Sequence, residues 1–299
     1  MAKWQDDTRL VHYTNATGIK GILETNTLWA THFRFLNDEQ EIVCFTEYLS
    51  EKLYKLSKEK KEKWRKYKIR EMCERIHERF FGLRNGLNRS FLNTYITSFC
   101  LSSRMDPYSQ ENGLLSQWRG YGRDGGYAVE FLAKDIEKLI RKNRDKFNYI
   151  RLNSVIYQGQ DERAEKLLGK DINGLYRLLK NLNFKETDPT RKLASVFEGY
   201  IKCACRFKHQ GFEEEKEVRI ASSIYWDEGK SKGEQYRVKD GFLIPYITLF
   251  QQTDEDDCLP IKRIIVGPHR NQEKHANAIR HMINEADIEI YCSKTPFIG

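Results

Sequence analysis

No run of apolar residues in this 299-residue chain approaches the ~20 needed to cross a bilayer as a helix. The opening residues, Met1-Ala2-Lys3-Trp4-Gln5-Asp6-Asp7, lack the apolar stretch of a secretory leader, so the expectation is a cytosolic protein with no membrane partner. Cysteines are scattered and odd in number, seven in all, and only Cys203 and Cys205 lie close together. Most sit in apolar stretches, which reads as small buried hydrophobes in a reducing compartment. No His-x-x-x-His spacing accompanies them, so no metal centre is expected. A Walker loop, a nucleophile elbow and a Ser-His-Asp string are all missing, which removes P-loop nucleotide hydrolysis and serine hydrolase chemistry. A nuclease would need a clear metal-carboxylate cluster, and none is visible.

What is present is a globular composition, 39% apolar and 31% charged. The net charge of +8 and a pI near 9.0 favour polyanionic partners. Much of the excess lies in one run, Lys58 to Arg70, with Lys58, Lys60 and Lys61 at its start. That run is either a nucleic-acid surface or the wet face of a helix.

Periodicity divides the chain. Leu10 and Val11 lead into His12-Tyr13-Thr14, followed by a short helix (Ile19, Ile22, Leu23) and the pulse Leu28-Trp29-Ala30. Thr14 or Asn15 can cap that helix, and Asn37-Asp38 with Glu41 fits a capping box. Residues 38 to about 84 show three- and four-residue apolar steps, with a break near Lys58–Trp64. Tyr95 to Ser102 alternates as a strand with one buried face. Tyr127–Phe131 and Tyr149–Tyr157 are further strands, around a helix capped by Asp135. Residues 163 to 208 are again helical, broken near Asp188-Pro189. Strands at 217–222, 236–238, 242–250 and 261–266, a helix at 275–283 and a strand at 288–292 complete the chain. Strands from both halves predict one α+β domain across residues 1–299, with helical insertions at about 38–90 and 163–208.

Two clusters carry chemistry. Gly120-x-Gly122-x-x-Gly125 matches the dinucleotide fingerprint as a string, but a helical segment precedes it and a strand follows, the reverse of what a Rossmann unit needs. Trp118, Arg119, Tyr121 and Arg123 instead read as two rings and two guanidinium groups on a flexible loop. Such groups suit phosphates and flat heterocycles; the bland alternative is a glycine-rich hairpin with surface arginines. The second cluster is Glu213-Glu214-Glu215-Lys216-Glu217-Val218-Arg219. On an extended chain Glu215 and Glu217 share a face, where paired carboxylates can hold a ribose hydroxyl and stabilise a developing cation; the alternative is a solvated acidic turn. His12 is either a ligand or a satisfied histidine at a helix start, and Arg34 sits between apolar residues on a loop.

Taken in order, Leu10-Val11-His12-Tyr13-Thr14, Leu28-Trp29-Ala30, Asn37-Asp38, Ser116-Gln117-Trp118-Arg119-Gly120-Tyr121-Gly122, Glu215-x-Glu217-x-Arg219 and Gly267-Pro268 resemble a bacterial family of unknown function over nearly the whole chain. Val218 stands where that family has an aromatic. The opening also resembles ADP-ribosyltransferases, including DNA- and RNA-modifying toxins of the DarT kind. That second resemblance implies a split β-sheet core with helical insertions and NAD as substrate. It also implies His12 as ribose ligand and Glu217 as catalytic acid, with Tyr13, Trp118 and Tyr121 as competing candidates for the nicotinamide ring. Thr14, Arg34 and Arg119 complete the expected cofactor contacts, with Arg119 or Arg34 on the pyrophosphate. The basic charge, with Arg123, Lys58, Lys60 and Lys61, points to RNA or DNA as acceptor, and a toxin or phage-defence setting to a neutralising antitoxin. The competing class is a non-enzymatic nucleic-acid or partner-binding module using the Lys58–Arg70 and Trp118–Arg123 stretches.

Overall fold

The computed structural model describes residues 4–36, 40–81, 94–102, 105–121, 125–180, 190–224, 226–227, 230–231, 233–239, 241–251, 258–283 and 288–296. It begins with a compact unit: β1 (Arg9–Thr14), α1 (Ala16–Thr25) and β2 (Leu28–His32). Asn15, one of the two candidate caps, caps α1 by accepting from the Gly18 N–H, and Asn26 ends the helix in the left-handed region at φ 51°. A Cβ on Gly21 would come within 2.4 Å of the Trp29 ring, so this glycine lets α1 lie flat on β2.

The expected helical stretch follows as α2 (Gln40–Glu59) and α3 (Lys66–Phe81), broken where predicted, with Lys61 in the left-handed region at φ 54°. The capping box at Asn37-Asp38 lies outside the described residues. Next come β3 (Thr94–Leu101), α4 (Pro107–Asn112), α5 (Leu115–Tyr121), β4 (Tyr127–Leu132), α6 (Ala133–Lys142), β5 (Tyr149–Ser154) and β6 (Ile156–Tyr157). Three expectations change here. β3 is buried along both faces rather than one, because helices cover each side of the sheet. Asp135 lies inside the first turn of α6, whose N-cap is Leu132. Trp118, Arg119, Gly120 and Tyr121 belong to helix α5 rather than to a flexible loop.

The second helical pair is α7 (Asp161–Lys180) and α8 (Thr190–Ala204); the break foreseen at Asp188-Pro189 falls outside the described residues. Then come β7 (Phe207–Lys208), a 3-10 turn (Gln210–Glu215), β8 (Glu217–Ser223), β9 (Trp226–Asp227), β10 (Lys230–Ser231), β11 (Gln235–Lys239), β12 (Phe242–Leu249), β13 (Ile261–Val266), α9 (Gln272–Met282) and β14 (Glu289–Cys292). No helix among the described residues is long and apolar enough to cross a membrane.

The large sheet has ten strands, with β11-β12-β2-β3-β1-β4-β13-β14 along one path and β8 and β5 branching from β3. Among the described residues every pairing in it is antiparallel except β13–β14. The fold is thus mixed α and β around a mostly antiparallel sheet. Its defining feature is at β3. One edge pairs continuously with β8, from Thr94↔Ser223 to Cys100↔Glu217. The other edge is shared: β1 pairs at Val11↔Cys100 and Leu10↔Leu101, whereas β2 pairs at Thr31↔Ile96 and His32↔Tyr95. Thr97, Ser98 and Phe99 lie between the two registers, where β1 and β2 part.

Three apolar clusters fill the layers. The largest gathers Leu10, Phe99, Phe131, Val218 and Ile220 beneath α1, α6 and α9. A second is built by α2, α3, α7 and α8 around Phe45, Leu53, Leu168, Tyr200 and Phe207. A small third packs Val11, Tyr13, Cys100, Leu114 and Trp118 together. Phe45 is fully buried against the rings of Tyr200 and Phe207 and so anchors β7 to α2. Phe45→Ala is expected to cost about 3–5 kcal/mol in denaturant unfolding, the usual loss for a buried phenylalanine.

Candidate active site at the split of the sheet

A cleft of about 580 Å³ opens where β1 and β2 diverge. Its lining includes His12, Tyr13 and Thr14 from β1, Thr97, Ser98 and Phe99 from β3, and Ser116, Gln117, Gly120 and Tyr121 from α5. Lys208 of β7, Glu214 and Glu215 of the 3-10 turn, Glu217 and Arg219 of β8, and Arg237 and Lys239 of β11 close it. Strand alternation puts His12 on the face of Leu10. Glu217, opposite Cys100, lies on the face of Val11 and Tyr13. The gap in the ladder is what allows both to open on one cleft.

Ser98 lies between them. Its carbonyl takes the His12 Nδ1 at 2.9 Å, and its side chain, opposite Arg219 in the β3–β8 register, is on the face of Glu217. A carbonyl only accepts, so Nδ1 carries the proton. Burial holds the imidazole below the ordinary value of 6.5, Arg237 adds to the effect, and the Ser98 carbonyl opposes it. His12 at neutral pH is therefore an uncharged ring whose Nε2 is a hydrogen-bond acceptor.

The acidic side is a buried charge network. Arg219 grips the Glu217 carboxylate with two N–H groups, Nε to Oε1 at 2.6 Å and NH2 to Oε2 at 2.9 Å, and its NH1 donates to the Cys205 carbonyl at 3.1 Å. Lys208 Nζ donates to Glu217 Oε2 at 2.9 Å and to Glu215 Oε2 at 2.7 Å, and lies 4.6 Å from the Phe212 ring centroid. Burial alone would raise the Glu217 pKa, but Arg219 and Lys208 overcome it and hold the carboxyl well below its ordinary range. Glu215 is less buried and is shifted the other way, raised by burial with Lys208 opposing. The two glutamates do not share a face of a strand as predicted: the 3-10 turn ends at Glu215, and Lys216, left-handed at φ 45°, turns the chain into β8. They converge because both reach Lys208.

Of the residues singled out in the sequence, His12, Tyr13, Thr14, Tyr121, Glu215 and Glu217 line the cleft. Trp118 does not. Only 3% exposed, it donates from Nε1 to the Asn112 carbonyl at 2.9 Å and meets Tyr13 edge-on at 5.0 Å. Its ring fits between two glycines: a Cβ on Gly113 would come within 2.6 Å of it, and one on Gly267 within 2.8 Å. The Tyr13 hydroxyl accepts from the Leu114 N–H at 2.8 Å, just before α5. The tryptophan, the tyrosine and the Gly267-Pro268 exit thus form one packing unit that sets the α5 wall, and Trp118 is no platform for a ligand ring. Arg34 and Arg119 are exposed and outside the cleft lining, so neither is placed for a pyrophosphate there. Lys58, Lys60 and Lys61 also lie outside the lining, at the end of α2; Lys58 and Lys60 sit over the rings of Tyr54 and Tyr176. Arg123 falls outside the described residues.

The sequence reading missed Lys208, Arg237 and Lys239. Arg237 donates from NH2 to Thr31 Oγ1 at 2.9 Å, with its guanidinium near the rings of Trp29 and Tyr246, at 5.4 and 5.9 Å. Lys208 fell in the stretch read as helical as far as residue 208, but α8 ends at Ala204 and Phe207–Lys208 form β7, paired with β6.

Two expectations follow from this packing and charge. Gly267→Ala should lower stability by about 1–3 kcal/mol, because backbone at Gly126 and the Trp118 ring leave no room for a methyl group. Glu217→Gln should cost about 3–5 kcal/mol at neutral pH by leaving the buried Arg219 uncompensated and Lys208 with Glu215 alone. The folded carboxyl has a depressed pKa, so its contribution is complete above the ordinary value of 4.5 and is lost as pH falls through the folded value. The gap between wild type and variant should therefore narrow below pH 4.5, read from denaturant midpoints across pH.

Residues 117–220 match the model of a family described as a protein of unknown function, DUF2971. That segment runs from α5 into β8 and carries Lys208, Glu215, Glu217 and Arg219, the acidic wall of the cleft, but not His12. No curated protein and no solved structure is significantly similar to the chain.

Proposed function

We propose that this cleft binds NAD and transfers its ADP-ribosyl group to an acceptor, with nucleic acid as the acceptor class. The observation that carries the reading is the split at β3, which brings a neutral histidine and Glu217 from opposite faces of the sheet onto one cleft around Ser98, with Glu215 joined to Glu217 by Lys208. An uncharged imidazole with a free Nε2 lone pair suits a ribose hydroxyl as donor. The opposite wall suits a sugar that turns positive. When the ribose–nicotinamide bond breaks, its electron pair leaves with nicotinamide, and the carbon becomes oxocarbenium-like. A carboxylate kept ionised beside it stabilises that charge without reorganising. Glu217 is held ionised but is fully engaged by two cations. Glu215 is the more exposed and less neutralised of the two, so it takes the proton of the attacking acceptor while Glu217 faces the sugar. The net charge of +8 supports a polyanionic acceptor. Consumption of NAD with damage to nucleic acid fits a toxin or phage-defence effector held in check by an antitoxin.

Nicotinamide release from NAD, measured with RNA, DNA or neither added, tests this. Glu215→Gln and Glu217→Gln should each reduce turnover by about 10²–10³, the usual effect of removing one group that stabilises transition-state charge. His12→Ala should act chiefly on KM. No release above background, with salt-dependent nucleic-acid binding unchanged in Glu217→Gln, would favour a non-enzymatic binding module instead.

A further inference from the structure

Among the described residues four cations line the cleft, and they divide into two kinds. Lys208 and Arg219 are neutralised by Glu215 and Glu217. Arg237 and Lys239, two residues apart on β11 and so on one face of it, have no carboxylate partner among the described residues. Arg237 is held in place by Thr31 and the rings of Trp29 and Tyr246, yet its buried Nε–H has no acceptor among the described residues. A fixed guanidinium with a spare buried donor, next to a second positive charge, is costly in an empty cleft and fits a doubly charged oxyanion, which an arginine fork binds through two parallel hydrogen bonds. We infer that the cleft end formed by the β11–β12 hairpin is a phosphate subsite, with Arg237 as the forked donor, Lys239 as the second charge, and the pyrophosphate of a dinucleotide as the group bound. The class of group rests on this charge balance; its identification with a dinucleotide rests on the reading above.

The subsite orients the ligand. The phosphates lie toward β11 and the reactive sugar toward Glu215 and Glu217, with His12 between the two ends. The test is binding of inorganic pyrophosphate and of ADP-ribose to the purified full chain by calorimetry. Arg237→Gln should weaken both by about tenfold or more, and exposed Lys239→Ala by a few fold, as expected for loss of charge-assisted hydrogen bonds. Arg237→Lys, which keeps the charge but not the fork, should fall between wild type and Arg237→Gln. Thermal melts establish that each variant is folded, and Lys239→Ala carries the test if Arg237→Gln is not. Equal pyrophosphate affinity in wild type and Lys239→Ala, or in wild type and a folded Arg237→Gln, overturns the subsite. Competition with pyrophosphate by a single-stranded oligonucleotide but not by ADP-ribose overturns the dinucleotide assignment. Arg237-dependent binding of ADP-ribose without any NAD turnover supports the subsite and removes the transferase reading.

Discussion

A β-strand edge must find partners for its backbone groups, and the edge of β3 between β1 and β2 cannot find them all in strands. The rest of the site follows from that constraint. The Ser98 carbonyl takes a side chain, His12, in place of a neighbouring strand. Thr97 turns its hydroxyl onto the Trp29 carbonyl across the same gap. The histidine is thereby fixed in one tautomer, and a cleft exists where a continuous sheet would have been solid.

The second determinant is charge placed where water is scarce. Glu217 and Arg219 are 4% and 3% exposed, and neither is tenable alone in such surroundings. Arg219 provides a forked grip and Lys208 a bridge to Glu215, so one wall is close to neutral overall while keeping ionised groups in fixed positions. Ser116 donates to Glu214 at 3.1 Å, which ties α5 to the same turn from across the cleft. The wall is therefore supported from the helical layer through Phe207 and Lys208, from the sheet through β8, and from α5.

Much of the scaffold was legible because burial imposes periodicity. β1, β4, β8 and β13 show as apolar pulses, and α2, α3, α7 and α8 as steps of three and four. Pairing was not legible, since alternation says which residues share a face but not which strand lies beside it. The split at β3 is a property of two registers and leaves no local mark. Trp118 was misjudged for a related reason: next to arginine and glycine it resembles a binding loop, and Gly267, distant in sequence, together with the nearby Gly113 reveals it as a packed wedge. Arg237 sat in a segment legible only as a strand, so its charge carried no signal until β11 was placed beside the cleft. The matched family segment, residues 117–220, likewise holds one wall and leaves the histidine side to residues before it.

The wedge has a bearing on biosynthesis. Trp118 seats against Gly267, and the β11 side of the cleft is also contributed by late residues. A ribosome-bound chain that has already exposed His12 and both glutamates still lacks the backing that sets its α5 wall. The pocket is assembled only when translation has passed Gly267, so truncated products carry His12 and the glutamates without the enclosure around them.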